Sequence, residues 1–180
     1  MLYLALLRGI NVGGKNMIKM ADLKACFEAG GFADVSTYIA SGNVLFRAPR
    51  SASGPLARRI ERMLTKTFGY QATLVLRSHP QMRAVVEGAP AGFGSSPSKY
   101  LSDVFFLKEP LTATSVVKAL PTRPGVDELH AGKGVVYSSR LASRATQSRI
   151  NKVASLPIYR SMTIRSWSTT TKLFQLMDEL

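Results

Sequence analysis

The feature that most constrains this chain is the order of its apolar runs, amphipathic runs and turn residues, because the same order is read twice. Residues 3–8 form a short apolar run that enters Gly9-Ile-Asn-Val-Gly-Gly-Lys15, as a buried strand entering a glycine-rich loop does. Met20, Leu23 and Phe27 then recur at helical spacing until Gly30-Gly31, residues that accept positive φ and stop a helix. Residues 35–40 and 44–48 read as two strands joined at Ser41-Gly42-Asn43, a hairpin turn. A second helix opens with Ser53 as its cap and Pro55 in its first turn. It carries Leu56, Ile60, Met63, Leu64 and Phe68 on one face and ends at Gly69. Residues 72–76 close the pattern as a strand, so the order is βαββαβ.

A helix is expected from Ser78, and the segment after it, rich in Gly, Pro and Ser, reads as a linker. The pattern then restarts. Residues 104–107 read as a strand, 111–120 as a helix stopped by Pro121, and 126–130 with 135–139 as a hairpin across Ala131-Gly132-Lys133-Gly134. A helix is expected over residues 146–154, a strand over 163–167, and an extra C-terminal helix over 168–180. The expected fold class is therefore α+β. Two tandem ferredoxin-like βαββαβ units (alpha-beta plaits) with antiparallel sheets occupy residues 1–90 and 101–180, joined by a linker over 91–100 and followed by a C-terminal helix. Strands such as Leu4-Ala5-Leu6-Leu7 are apolar on both sides, which predicts that the sheet face away from the helices is also covered.

Composition narrows the function classes. With 46% apolar and 19% charged residues the chain can bury a sizeable core. Cys26 is the single cysteine, which excludes an internal disulfide and a multi-thiolate zinc site. His79 and His130 add no metal spacing. The apolar N-terminus is short, lacks a basic leader and runs into Arg8, so it reads as a strand and not as a signal peptide, and no run reaches transmembrane length. A cytoplasmic protein that does not contact membranes is expected.

Charge points to an anionic partner. The net charge is +13 and the calculated pI about 10.3. Both halves are basic, yet between Leu129 and Met177 there is no acidic residue at all, while Lys133, Arg140, Arg144, Arg149, Lys152, Arg160, Arg165 and Lys172 lie there. Near its end Arg160, Arg165, Trp167 and Lys172 surround Ser168-Thr-Thr-Thr171 at a helix start, where free N–H groups receive anions and an indole can stack on a base. The plain alternative is N-capping by Ser168 or Thr169 with Trp167 in the core.

The loop after the first strand offers a second candidate site. Gly9 to Lys15 has the spacing G-x-x-x-x-G-K of a phosphate-binding loop, but Asn16 stands where Ser or Thr would hold magnesium, and the next helix begins several residues late. Nucleotide hydrolysis is not expected, and no cofactor is implied. In a βαββαβ sheet the turn at Ser41 lands at the same end as this loop. Arg8, Asn11, Gly13, Gly14, Lys15, Ser41 and Asn43 then converge as a candidate anion site. The competing structural reading has Asn11 and Asn43 bonding turn backbone and Arg8 tying the loop down. The aromatic and basic pattern with which sheets of this kind bind RNA is missing from residues 41–47. The carboxylates are scattered and neither His belongs to a triad, so no catalytic residue is identified.

Leu4-Ala-Leu-Leu-Arg-Gly-Ile-Asn-Val-Gly-Gly-Lys-Asn16 and Tyr38-Ile-Ala-Ser-Gly-Asn-Val-Leu-Phe46 resemble the signature of the bacterial DUF1697 family, a domain of unknown function. Tyr159-Arg-Ser-Met-Thr-Ile-Arg-Ser-Trp-Ser-Thr-Thr-Thr-Lys-Leu173 resembles its C-terminal motif. The resemblance implies two ferredoxin-like units and brings no activity, cofactor or catalytic residue. Where such proteins commonly have Arg-Asn-Trp-Asn-Thr, this chain has Arg165-Ser-Trp-Ser-Thr169, so any ligand contact carried by those amides is altered here. The expected function is non-catalytic binding of an anionic ligand, nucleic acid or a phosphorylated small molecule. The alternatives are an enzyme acting on a small anionic substrate at the glycine-rich loop, and a protein-interaction module.

Overall fold

The structure, a computed structural model, describes residues 1–180 as an α+β protein with two four-stranded antiparallel sheets. The chain divides into two compact units, Met1–Met82 with Leu180, and Arg83–Glu179.

In the first unit β1 (Leu2–Leu7), β2 (Ala33–Tyr38), β3 (Asn43–Arg47) and β4 (Leu74–Ser78) form a sheet of order β2-β3-β1-β4, with α1 (Met20–Ala29) and α2 (Ser53–Phe68) in the crossovers. Alternation along the strands sends Tyr3, Ala5, Leu7, Val44, Phe46 and Leu76 into one core with Leu23 and Phe27 of α1 and Leu56, Ile60 and Leu64 of α2. Phe27, Phe32 and Phe46 meet there with ring centroids 4.7–5.6 Å apart, the tilted spacing aromatic quadrupoles favour. Leu4, Leu6, Leu45 and Val75 point the other way and are buried too, as two-sided apolar strands predict. The end signals at Gly30-Gly31 and Gly69 act as read, Gly31 and Gly69 both taking positive φ. Ser53 is not a cap. It is the first residue of α2, whose N-cap is Ala52 without a side-chain bond.

The second unit contains α3 (His79–Glu87, from Arg83 on), β5 (Tyr100–Leu107), α4 (Ala113–Ala119), β6 (Asp127–Ala131), β7 (Val135–Leu141), β8 (Met162–Ser166) and α5 (Trp167–Asp178), with sheet order β6-β7-β5-β8. Phe105, Leu107, Val136 and Met162 pack with Ala113 and Val116 of α4 and with Ile150 and Val153. From the opposite face the Tyr137 hydroxyl donates to the Val85 carbonyl of α3 at 2.6 Å.

The helix expected over 146–154 is not there. Three short 3-10 segments, Ala142–Gln147, Ile150–Ser155 and Pro157–Ser161, take its place. Ser148 is extended, and the N–H groups of Arg149 and Arg123 are both taken by the Asp127 carboxylate of β6, at 2.9 and 2.8 Å, so a distant strand withdraws an amide a helix would need. Pro157 then forces Leu156 into extended geometry and ends the second segment. Likewise α5 starts at Trp167, capped by Ser166, whose hydroxyl accepts the Thr169 N–H at 3.2 Å. Neither Ser168 nor Thr169 is the N-cap. No helix is long and apolar enough to cross a membrane.

Candidate anion-binding surfaces

The glycine-rich loop of the first unit is a miniature hairpin. Asn11 N–H donates to the Asn16 carbonyl at 3.1 Å and Lys15 N–H to the Val12 carbonyl at 3.0 Å, leaving Gly13-Gly14 as a two-residue turn with φ of +58° and +73°. Two successive positive φ values are what a primed hairpin turn needs, and a Gly-Gly pair supplies them at no steric cost. Two of the loop amides, those of Asn11 and Lys15, are turned inward to close the hairpin, and α1, whose first N–H groups a phosphate loop would add to its cradle, starts only at Met20.

The topology does bring loop and turn together, since Asn11 Nδ2 donates to the carbonyls of both Ala40 (2.8 Å) and Ile18 (2.9 Å) while its Oδ1 accepts the Ile18 N–H (2.7 Å). Asn43 is fully buried, its Nδ2 donating to the Tyr38 carbonyl and to Ser41 Oγ at 2.9 and 3.0 Å. Each amide has both hydrogens spent on the fold. Arg8 is half-buried and its N–H donates to the Thr73 carbonyl at 2.9 Å. Lys15 is exposed at the hairpin, as are its loop neighbours Val12 and Met17, and Ile39 is exposed in the turn between β2 and β3.

In the second unit the acid-free stretch exposes several cations. Side chains three apart eclipse on a 3-10 helix. Ile150 and Val153 therefore share the buried line of the second 3-10 segment, and Arg149 and Lys152 share an exposed one. Arg144 on the first segment and Arg160 on the third are exposed as well, Arg144 steadied by Gln147 Oε1 at 2.8 Å. Lys172 is half-buried on α5, its Nζ 3.2 Å from Gln175 Oε1. Arg165 faces inward at 8% exposure, bonded to Thr163 Oγ1 and the Ile164 carbonyl at 2.8 and 2.9 Å, and burial lowers its pKa to about 10. Trp167 is half-buried, edge-on to Phe93 at 5.1 Å between centroids. Arg165 thus belongs to the interior of this unit and Trp167 packs half-buried on Phe93, and neither joins the exposed cations.

Beside the cations lies a cleft of about 210 Å³, floored by Phe105, Ile150, Val153 and Ile164 and edged by Asp103, Arg140, Asn151 and Tyr159. Arg140 donates to Asp103 Oδ2 at 3.1 Å and to Asn151 Oδ1 at 2.7 Å, and its buried Nε has no partner. Burial pushes the Asp103 carboxyl above its ordinary range, and the Arg140 charge only partly offsets this. Of these edge residues the sequence singled out Arg140 alone. The missed signal was in β5, where Asp103 shares a sheet face with Phe105 and Leu107: a carboxylate on an otherwise apolar strand face.

The fold has a solved counterpart. The conserved bacterial protein SP0830 from Streptococcus pneumoniae, whose structure is solved, is 28% identical and superposes with a TM-score of 0.85, covering 98% of each chain. No curated protein matches the chain. The model of the DUF1697 family, described as a protein of unknown function, matches residues 1–137, and the chain belongs to that family.

Proposed function

We propose that this protein is a non-catalytic binder of an anionic ligand, and that the ligand is nucleic acid held through its phosphates by the second unit. The observation that carries the reading is the exposure of Arg144, Arg149, Lys152 and Arg160, three of them on consecutive 3-10 segments and Arg149 at the N-cap of the second, in a stretch with no acidic residue between Leu129 and Met177. Side chains of this kind supply sequence-independent affinity by displacing condensed counterions. A phosphorylated small molecule or a substrate at the glycine-rich loop ranks second, because the Asn11 and Asn43 amides are committed to backbone and hydroxyl partners.

The same reading takes both units as ferredoxin-like plaits that arose by tandem duplication. Its support is the strand order, β2-β3-β1-β4 in one and β6-β7-β5-β8 in the other, which correspond position by position. A cytoplasmic setting accords with one buried free cysteine.

The test is fluorescence anisotropy with a labelled single-stranded oligonucleotide of about 20 nucleotides across a salt series. Affinity is expected to fall linearly on a log–log plot, with a slope near −0.7 per phosphate contacted. Undetectable binding at low salt overturns the reading.

A further inference from the structure

We propose that the cleft bounded by Asp103, Arg140, Asn151 and Tyr159 receives one unstacked nucleobase, guanine by preference, from a strand whose phosphates the adjacent cations engage. The inference deepens the nucleic-acid reading and rests on it.

Size comes first. At about 210 Å³ the cleft is smaller than the roughly 300–1,000 Å³ of pockets for drug-sized ligands, so it suits a single planar ring system and not a whole nucleotide. Its lining is divided as a base requires. Phe105, Ile150, Val153 and Ile164 offer an apolar floor, Tyr159 an aromatic ring, and the polar groups gather at one edge. Proteins that read single strands seat splayed-out bases against aromatic side chains and hydrogen-bond their edges.

Position comes second. Along the chain the edge residues alternate with exposed cations, since Asn151 lies between Arg149 and Lys152 and Tyr159 precedes Arg160. On the second 3-10 segment Asn151 stands on the side-chain line next to that of Arg149 and Lys152, so a strand held by those two cations lies beside the cleft edge at Asn151.

The hydrogen-bond inventory selects the base. Asp103 gives one oxygen to Arg140 Nη2 and retains acceptor capacity on both oxygens, since a carboxylate offers about four lone-pair sites. Asn151 Nδ2 makes one bond, to the Ala145 carbonyl at 3.3 Å, and keeps a second N–H. Arg140 approaches Asp103 through Nη2 alone, drawn toward Asn151, and its buried Nε goes unpaired. An acceptor pair thus sits beside unspent donors. Guanine presents the complement: two adjacent N–H donors, N1 and N2, next to the O6 acceptor. Adenine would set its N1 lone pair against the carboxylate and leave buried polar groups unmatched, the mismatch that discriminates most strongly.

The experiment has two arms. In the first, guanosine and adenosine, which carry no phosphate, are titrated while the Asn151 side-chain amide and Tyr159 ring signals are followed by NMR. In the second, a ten-nucleotide oligo-dT carrying one central dG, deoxyinosine or dA is titrated at several salt concentrations. Guanosine is expected to shift both signals saturably and adenosine to leave them still. The dG strand is expected to bind about tenfold more tightly than the dA strand, with the inosine strand, which lacks the N2 amine, between them. Asp103→Asn and, independently, the surface change Asn151→Ala should erase that difference and leave the salt slope intact. Equal affinity for all three strands with a normal salt slope, and no shift with guanosine, overturns the base pocket and leaves the nucleic-acid reading standing. Guanosine seated in the cleft while no strand binds upholds the pocket and overturns the nucleic-acid reading.

Discussion

Asn11 and Ile18 pair with each other in both directions: the Ile18 N–H donates to Asn11 Oδ1 at 2.7 Å and Asn11 Nδ2 donates to the Ile18 carbonyl at 2.9 Å. The side-chain amide mimics a peptide group, closing the chain around the 11–16 hairpin, and its second hydrogen reaches the Ala40 carbonyl in the β2–β3 turn. Asn11→Ala removes three hydrogen bonds at a partly buried site and is expected to lower unfolding stability by about 2–3 kcal/mol in urea denaturation. Asn11→Asp keeps the acceptor but sets a carboxylate against two carbonyls, so it should be no better. A change below about 0.5 kcal/mol for both variants would free Asn11 for a ligand.

Asp127 and Asp103 give the second unit opposite responses to acid. Burial raises the Asp127 carboxyl, but the Ser148 hydroxyl beside it and the backbone N–H groups of Arg149, Arg123 and Ile150 outweigh that and hold it below its ordinary value of 3.8. Its stabilising contribution is therefore fully present above pH 3.8 and lost as pH falls through the lower folded value. Asp103 is raised above 3.8, so the folded state holds that proton longer than the unfolded chain does, and stability falls as pH climbs from 3.8 through the folded value. In a series of thermal melts from pH 2 upward, Asp127→Asn should flatten the acid limb, and Asp103→Asn should remove the decline that sets in above pH 3.8. Parallel curves for wild type and both variants would contradict the assignment.

The salt slope separates exposed cations from the buried one. Arg149→Gln with Lys152→Gln touches two solvent-facing side chains, so melting should be nearly unchanged while the slope of log affinity against log salt falls by about 1.4 on a single strand. Arg165→Gln changes a buried group bonded to Thr163 and Ile164, and its effect should appear in the melting temperature instead.

How far the sequence could be read follows from how local each signal is. Strands and hairpins were legible because alternating apolar residues and turn glycines act within a few residues. So was the end of α2 at Gly69. The 146–154 segment was not, because what breaks it there is the Asp127 carboxylate, about 20 residues earlier on another strand. Asp103 escaped for a related reason: the apolar run begins at Val104, while pairing with β7 extends β5 back to Tyr100. The Gly-, Pro- and Ser-rich segment after α3 has linker composition, yet Phe93 within it packs edge-on to Tyr137 and Trp167, contacts that composition does not reveal.

Gly94 makes that last packing testable. Its φ is +73°, and a Cβ there would fall 1.9 Å from Trp167 Cδ1, against a ring that has no flexible end to move. Gly94→Ala combines left-handed strain with overpacking and should cost about 3 kcal/mol. Gly69→Ala has nearly the same φ, +70°, with nothing within 4 Å, and should cost only about 1–2 kcal/mol. Urea denaturation followed by circular dichroism, which reads the helices of both units, measures the difference. Equal losses for the two variants would mean that the loop yields without resistance.

Ile39 holds a conformation its side chain opposes. Its φ is +50°, a region that costs a non-glycine residue about 1–2 kcal/mol and suits β-branched side chains least, and at 48% exposure little burial is gained in return. What imposes the geometry is the turn itself: Asn11 holds the Ala40 carbonyl on one side and Asn43 holds the Tyr38 carbonyl on the other, so the residue between them has little backbone choice. Asn tolerates the left-handed region, and Ile39→Asn should therefore stabilise the protein by about 1 kcal/mol, read as a higher urea midpoint with an unchanged slope. Met17→Ser, a neighbouring exposed residue with no such strain, should stay within about 0.5 kcal/mol and serves as the control for losing apolar surface. If Ile39→Asn destabilises instead, the Ile39 side chain contributes packing that outweighs the backbone strain, and the turn is held by it as well as by the two asparagines.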